Sequence, residues 1–325
     1  MTENLLEIDN LSIEYGIERG ALKAVTDVSF NIRKGEFFGL AGESGCGKST
    51  IAFAVMQLLK GASKYASGEI RFKGKNVLEF NREQLRLFRW EKASMVLQSA
   101  MNNLNPVVTV SSQLIDAIKA HKDISHAGAY KMAGELLEMV NIDKSRLSSY
   151  PHELSGGMRQ RVVIAMAMAL KPDLIILDEP TTALDVVVQY NIIRKIMEFK
   201  EAAGFSILFI THDLPLMLEV CDRIGIMYAG RMAELATSAQ FKKGGTHPYT
   251  KGLLKAFPSL LGEKVRLEGI PGSVPDLVTP PPGCLFYDRC TFHADVCRNV
   301  IPVFESLNED HFCACHNKYE VMSRG

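Results

Sequence analysis

Short apolar stretches separated by polar turns dominate the start of the chain. Leu5 to Tyr15 reads as a strand, and the alternation from Ala24 to Ile32 predicts a second. Lys34-Gly35 turns the chain into the apolar strand Phe37-Phe38-Gly39-Leu40, which runs into a glycine-rich loop; residues 49–60 then predict a helix. Between about 100 and 170 the pattern becomes helical, with Tyr130, Ala133, Leu136, Leu137 and Val140 falling on one face. Strands return at Leu174–Leu177 and Ser206–Ile210, each apolar and bounded by polar residues, as buried parallel strands are. The stretch Asn191 to Ala203 between them predicts a helix, so 174–210 forms a βαβ unit. Gly225 to Glu234 has the form of a hairpin turning at Ala229-Gly230. From Pro271 onward proline, glycine and cysteine replace periodicity, and Pro280-Pro281-Pro282-Gly283 makes a rigid spacer. No internal repeat is visible. The pattern predicts an α/β core with a helical insertion and a small C-terminal appendix.

Composition changes this picture little. At 325 residues the chain exceeds the usual size of one core and suggests about two domains. Hydrophobic residues at 47% and charged residues at 23% are ordinary for a globular protein and argue against disorder. Lysine plus arginine and aspartate plus glutamate both number 37, so a strongly basic nucleic-acid binder is disfavoured. Residues 71–92 carry seven basic and three acidic side chains, a local excess that reads as a solvated face. The longest apolar run, Val162 to Leu170, is far below the roughly 18–20 residues that cross a bilayer. Met1-Thr2-Glu3-Asn4 lacks the basic-then-apolar form of a secretory signal, so a soluble, cytoplasmic protein is expected.

The chemistry starts at Gly42-Glu43-Ser44-Gly45-Cys46-Gly47-Lys48-Ser49, followed by Thr50. This matches G-x-x-x-x-G-K-[ST] between an apolar strand and a helix, the context the motif requires. Glycines let backbone N–H groups turn in around phosphate oxygens, and the positive end of the following helix favours the same anion. Lys48 is placed to reach the β- and γ-phosphates, and the Ser49 hydroxyl to ligate Mg²⁺. Cys46 occupies a free position of the motif as a small filler. The companion element is Leu174-Ile175-Ile176-Leu177-Asp178-Glu179, a buried strand delivering two adjacent carboxylates to its C-terminal end, where open α/β sheets bind ligands. Asp178 is the expected Mg²⁺ residue; Glu179 can accept a proton from the water that attacks the γ-phosphate. The 129 residues between Lys48 and Asp178 accommodate the helical insertion.

Leu154-Ser155-Gly156-Gly157-Met158-Arg159-Gln160-Arg161 opens a helix just before the carboxylate strand. Ser155 can cap that helix while Gly156 and Gly157 present N–H groups to an anion; a plain cap plus linker is the alternative. This stretch resembles the signature motif of the ATP-binding-cassette family and lies where that family carries it. Over about residues 5–255 other positions follow in the family's order. Tyr15 resembles the aromatic that stacks on adenine. Gln98 resembles the glutamine that senses Mg²⁺ and the membrane partner. Ala183-Leu184-Asp185 resembles the loop that crosses the dimer interface, and His212 the switch histidine that contacts the γ-phosphate. The resemblance implies a P-loop cassette fold with a helical subdomain and an antiparallel β portion. It also implies ATP hydrolysis in a head-to-tail pair, Ser155, Gly156 and Gly157 of one subunit completing the phosphate site opposite Lys48 of the other.

Met158, Leu104-Asn105-Pro106, Thr246-His247-Pro248-Tyr249-Thr250 and the tail elements Gly283-Cys284, Asp288-Arg289-Cys290, Cys297 and Ala314-Cys315-His316 narrow the resemblance to ATPase subunits of oligopeptide and dipeptide importers. The usual aspartate-proline after the glutamine is replaced by Ser99-Ala100, and relatives with this pattern also import oligosaccharides. The resemblance implies two integral-membrane permease subunits, a second ATPase that is a homologue or a copy, a solute-binding protein acting indirectly, no nucleic acid, and a place at the cytoplasmic face of the membrane. A cassette domain over 1–255 and a C-terminal extension over 256–325 are expected. The competing readings, a soluble non-transport cassette ATPase or a small-molecule kinase, leave the signature, His212 or the single-cassette length unexplained.

Cysteine is unevenly spread: Cys46 and Cys221 precede residue 284, and Cys284, Cys290, Cys297, Cys313 and Cys315 follow within 32 residues. A reducing compartment disfavours disulfides, so metal ligation is the chemistry to test. Cys284, Cys290, Cys297 and Cys315 supply four thiolates suited to a [4Fe–4S] cluster or to tetrahedral zinc. Spacings without a C-x2-C knuckle favour iron–sulfur, and the family resemblance points the same way. Cys313 is the spare thiol that could take the place of Cys315.

Overall fold

The computed structural model describes residues 3–97, 103–180, 186–256 and 269–323. In chain order the elements are β1 (Asn4–Ile17), β2 (Gly20–Arg33), β3 (Phe37–Ala41), α1 (Lys48–Val55), β4 (Ser63–Phe72), β5 (Lys75–Asn76), α2 (Arg82–Phe88) and β6 (Ala93–Val96). Then come α3 (Val110–Lys119), α4 (His126–Met139), α5 (Gly156–Met168), β7 (Leu174–Asp178), α6 (Val186–Ala203), β8 (Ser206–Ile210) and α7 (Leu214–Val220). The last third holds β9 (Arg223–Tyr228), β10 (Arg231–Thr237), α8 (Ser238–Lys243), α9 (Pro248–Lys255), α10 (Asp295–Asn299), β11 (Glu305–Asn308), β12 (His311–Cys313) and α11 (Lys318–Ser323). These elements fall into two compact units that interleave in sequence: Met1–Leu5, Arg33–Glu36 and Glu79–Phe209 form one, and Leu6–Ile32, Phe37–Leu78 and Ile210–Gly325 the other.

The first unit contains the strand order β8-β7-β6, with β6 and β7 parallel from Ala93 opposite Leu174 to Val96 opposite Leu177. Its helices α3, α4 and α5 share a separate core in which Val110, Leu114, Ile118, Ala133, Leu137 and Val162 are fully buried. The helical spacing read in 130–140 is correct except at one end, where Tyr130 is 46% exposed at the edge of the stripe. Polar caps explain where these helices begin. The Thr109 side chain accepts from the Ser112 N–H and Ser125 from the Gly128 N–H, each satisfying a donor that the first turn leaves unpaired.

The second unit carries an antiparallel sheet ordered β2-β1-β4-β5 and the run β11-β12-β10-β9-β3, in which β3 and β9 are parallel and β9 and β10 form the hairpin expected at Ala229-Gly230. The β4–β5 hairpin has no counterpart in the sequence reading, because in β4 only Ile70 and Phe72 are buried and the alternation is too sparse to see. Most basic side chains of 71–92 are exposed, as a solvated face requires. The C-terminal region is more ordered than the loss of periodicity implied: β12 pairs antiparallel with β10, placing Cys313 opposite Glu234. Among the described residues no helix is long and apolar enough to cross a membrane.

Candidate nucleotide site and cysteine cluster

In the second unit, β3 delivers the chain into the glycine-rich loop and α1 leaves it. Gly47, with φ 102°, stands at the N-cap of α1 and lies against the Ala24 carbonyl; an added Cβ would sit 2.4 Å from that oxygen. At Gly42, with φ 147°, a Cβ would sit 2.2 Å from the Met227 carbonyl, so neither position accepts a side chain. Lys48 is buried and folds back over the loop, its Nζ donating to the Gly42 carbonyl at 2.7 Å and to the Glu43 carbonyl at 2.9 Å. Ser44 and Gly45 are exposed at the loop's tip, and Ser49 and Thr50 are half-buried in the first turn of the helix. Burial pushes the Cys46 thiol up in pKa against the opposing pull of Lys48, which suits a filler and not a reactive thiol. Tyr15 lies half-buried on β1, opposite Ser63 of β4. His212 is exposed just after β8, and the following Asp213 caps α7 by accepting from the Leu216 N–H at 3.0 Å.

In the first unit, β7 is buried along its whole length and ends at Asp178, which is 3% exposed. Glu179 follows at φ 46°, a left-handed conformation uncommon for glutamate; such strain persists where surrounding structure enforces it, typically at functional sites. Ser155 N-caps α5, its side chain accepting from the Met158 N–H at 3.3 Å, so the signature glycines Gly156 and Gly157 open the helix as the sequence predicts. The buried Gln160 of that helix donates its side-chain amide to the Pro180 carbonyl, tying the signature helix to the turn after the carboxylates. Gln98 and Asp185 lie outside the described residues. Ser49 and Asp178 each carry a hard oxygen of the kind that binds Mg²⁺.

Sequence reasoning missed a buried polar anchor in the second unit. Glu234, fully buried on β10, accepts from the Thr246 and His247 N–H groups and from His311 Nε2, each at 2.8 Å. His247 caps α9 through Nδ1, which accepts from the Tyr249 N–H at 3.0 Å; burial drives the imidazole pKa down to about 4. Tyr249 is fully buried, and its Oη accepts the Glu43 N–H of the phosphate loop at 2.9 Å. Thr246, His247 and Tyr249 stand out in the sequence only through the family resemblance, and Glu234 only as a glutamate interrupting the apolar run of β10.

The tail cysteines approach one another. Gly283 lies so close to α10 that a Cβ would meet the Cys297 carbonyl at 2.4 Å, and the Cys284 N–H donates to that carbonyl at 2.8 Å. Burial pushes Cys290 up to about 11 and Cys315 up to about 12; the other tail thiols add to both shifts, with Cys284 and Cys297 acting on each and Cys290 also on Cys315. Cys313 is fully buried on β12, and its strongest electrostatic neighbours are Glu234 and Cys315. Yet among the described residues no group of three or more His, Cys, Asp or Glu side chains is arranged to hold a metal ion. The four-thiolate geometry anticipated from the sequence is therefore not formed; the donor set is there, the convergence is not.

Comparison with known proteins places these features. Residues 25–182 match the ABC transporter family, and residues 233–297 match the oligopeptide/dipeptide transporter C-terminal region. The chain is 43% identical over 323 residues to a probable peptide ABC transporter ATP-binding protein of Sinorhizobium fredii, covering 98% of this chain and 96% of the relative. It is 42% identical over 316 residues to a dipeptide transport ATP-binding protein of Bacillus subtilis, covering 96% and 94% of the two chains. With an oligopeptide transport ATP-binding protein of Salmonella typhimurium it shares 40% over 320 residues, covering 98% and 95%. Among solved structures, a dimeric ATP-binding cassette in a post-hydrolysis state bound to ADP and Pi superimposes with a TM-score of 0.64 at 28% identity, covering 72% of this chain and 98% of that one. The chain belongs to the ABC transporter ATP-binding proteins that carry the oligopeptide/dipeptide C-terminal region.

Proposed function

We propose that this chain is the ATP-hydrolysing subunit of an importer for oligopeptides or dipeptides, docked on the cytoplasmic face of the membrane beneath two permease subunits. The observation that carries the reading is the pairing of cassette and oligopeptide-type C-terminal region in one chain, shared at about 40% identity over nearly the full length with peptide-transport ATP-binding proteins. ABC ATP-binding proteins hydrolyse ATP to power transport, and the enzyme chemistry here follows from that membership. Functionally the chain divides into a cassette over 1–255 and an extension over 256–325.

In this reading the backbone from Gly42 to Thr50 cradles the phosphates, Lys48 exchanges its carbonyl partners for β- and γ-phosphate oxygens, and Tyr15 stacks on adenine. Ser49, Asp178 and Gln98 would hold Mg²⁺, whose charge would offset that of the phosphates. Glu179 accepts the proton of the attacking water and His212 contacts the γ-phosphate. Ser155, Gly156, Gly157 and Asp185 serve the ATP of a partner ATPase, either a homologue or a second copy, so hydrolysis is coupled to opening of the pair. A solute-binding protein selects the cargo upstream. The four tail thiols of Cys284, Cys290, Cys297 and Cys315 would supply the ligands of a [4Fe–4S] cluster, with zinc as the alternative; the number and type of donors support this, and binding would draw them together from the arrangement the structure shows. Anaerobically purified protein should contain iron and acid-labile sulfide. Zinc without sulfide would replace the cluster, and neither would remove the metal from the account.

Purification of the tagged chain from native membranes in mild detergent tests the transport reading. Two integral-membrane subunits and an ATPase partner are expected, together with peptides bound to the cognate binding protein. Oligosaccharides on that protein would move the cargo to sugars. Recovery only with soluble partners would overturn the importer while leaving the ATPase intact.

A further inference from the structure

Arg289, in the short turn just before Cys290, sits 246 positions along the chain from Glu43 of the phosphate loop, yet the two form a bidentate ion pair with Nη1 and Nη2 each 2.9 Å from a carboxylate oxygen. The Arg289 side chain is 5% exposed. Its remaining donors are spent on Pro271 O at 2.8 Å, Ile270 O at 3.3 Å and Tyr228 Oη at 3.3 Å, and its guanidinium lies 5.5 Å from the Tyr228 ring and 5.7 Å from the Phe286 ring. A planar fork locked on all sides delivers its charge to one place, which a lysine could not do. Glu43 is correspondingly fixed at three points. Arg289 holds its carboxylate, Tyr249 Oη accepts its N–H at 2.9 Å, and its carbonyl accepts from Lys48 Nζ at 2.9 Å. Tyr249 is packed against Tyr228, ring centroids 4.7 Å apart, so both clamps share one aromatic platform.

We infer that Arg289 is a positioning residue for ATP binding: the C-terminal region, through Arg289 and Tyr249, holds Glu43 and so sets the carbonyls from which Lys48 is released to the phosphates. The inference rests on the phosphate-loop reading above and adds to it a function for the extension that neither the cassette motifs nor the thiol cluster supply. A clamp of this kind couples two distant parts of the chain by a free energy that appears as nucleotide affinity.

The test is ATP affinity of the full-length protein, measured by displacement of a fluorescent nucleotide, for Arg289→Met, Arg289→Lys, Glu43→Gln and the Arg289→Met/Glu43→Gln double variant, with Lys48→Ala as control. Arg289→Met should raise the ATP Kd by about tenfold, within the usual range of coupling between sites. Arg289→Lys should recover only part of that loss, because charge survives but the fork does not. The double variant should bind no more weakly than the worse single variant, since each removes the same contact. A Kd within about twofold of wild type for Arg289→Met, full recovery by lysine, or losses that multiply in the double variant would overturn the clamp. If Arg289→Met does not fold, Tyr249→Phe removes only the hydroxyl that receives the Glu43 N–H; it should weaken ATP binding several-fold, and an unchanged Kd would sink the proposal. Wild-type affinity in Lys48→Ala would instead reject the loop as the ATP site, a failure separate from that of Arg289.

Discussion

At the scale of single residues, the proposed ATPase chemistry rests on Glu179, the residue that follows the buried Asp178 in a left-handed backbone conformation. Glu179→Gln keeps shape and hydrogen bonding but removes the base, so ATP should still bind while phosphate release falls at least about 100-fold, the usual worth of a positioned base. Near-normal turnover would take the role from Glu179. A second residue-scale expectation concerns His247, whose imidazole is held neutral down to about pH 4 by burial, against an ordinary value of 6.5. The unfolded chain therefore takes up this proton first as pH falls. The histidine's contribution to stability is complete above pH 6.5 and is lost between 6.5 and about 4, up to about 3 kcal/mol in all. His247→Asn retains an acceptor for the Tyr249 N–H but does not titrate. Urea midpoints followed from neutral pH to about pH 5 should decline less steeply for this variant than for wild type; parallel declines would remove His247 as the cause.

At the scale of elements, local chemistry was read well where one motif fixes one turn. The capping serine of α5, the glycines that β3 runs into and the β9–β10 turn were legible because each depends on a few adjacent residues. The β4–β5 hairpin was not, since β4 turns only Ile70 and Phe72 inward and a strand exposed along most of its length leaves almost no alternation. The helix after the phosphate loop is shorter than the apolar pattern suggested, ending at Val55, with Met56 as its cap. The helical core shared by α3, α4 and α5 gives this scale its prediction. Leu114 is fully buried there, and Leu114→Ala should lower stability by about 2–5 kcal/mol through lost burial and the cavity left behind. A loss under about 1 kcal/mol in chemical denaturation would mean that the site collapses around the alanine.

At the scale of the whole molecule, sequence motifs pointed to candidate residues for chemistry but not to the distant segments that hold them. The Glu43–Arg289 fork joins residues 246 apart, and Glu234 collects donors from residues 246, 247 and 311; no periodicity or spacing reports such pairings. The tail likewise looked like an irregular appendix because its order comes from pairing with β10 and not from its own pattern. The fold and the family were legible because a phosphate loop, an acidic strand end and a capped glycine pair occur together in fixed order. Hydrolysis of ATP by this chain is proposed to drive peptide entry. Uptake of a radiolabelled tripeptide should be measured in cells of the native organism lacking the chromosomal copy, complemented with wild type or with Glu179→Gln. Uptake restored by wild type and absent with Glu179→Gln is the predicted result. Uptake that persists without the chain, or that Glu179→Gln supports as well as wild type, would contradict it.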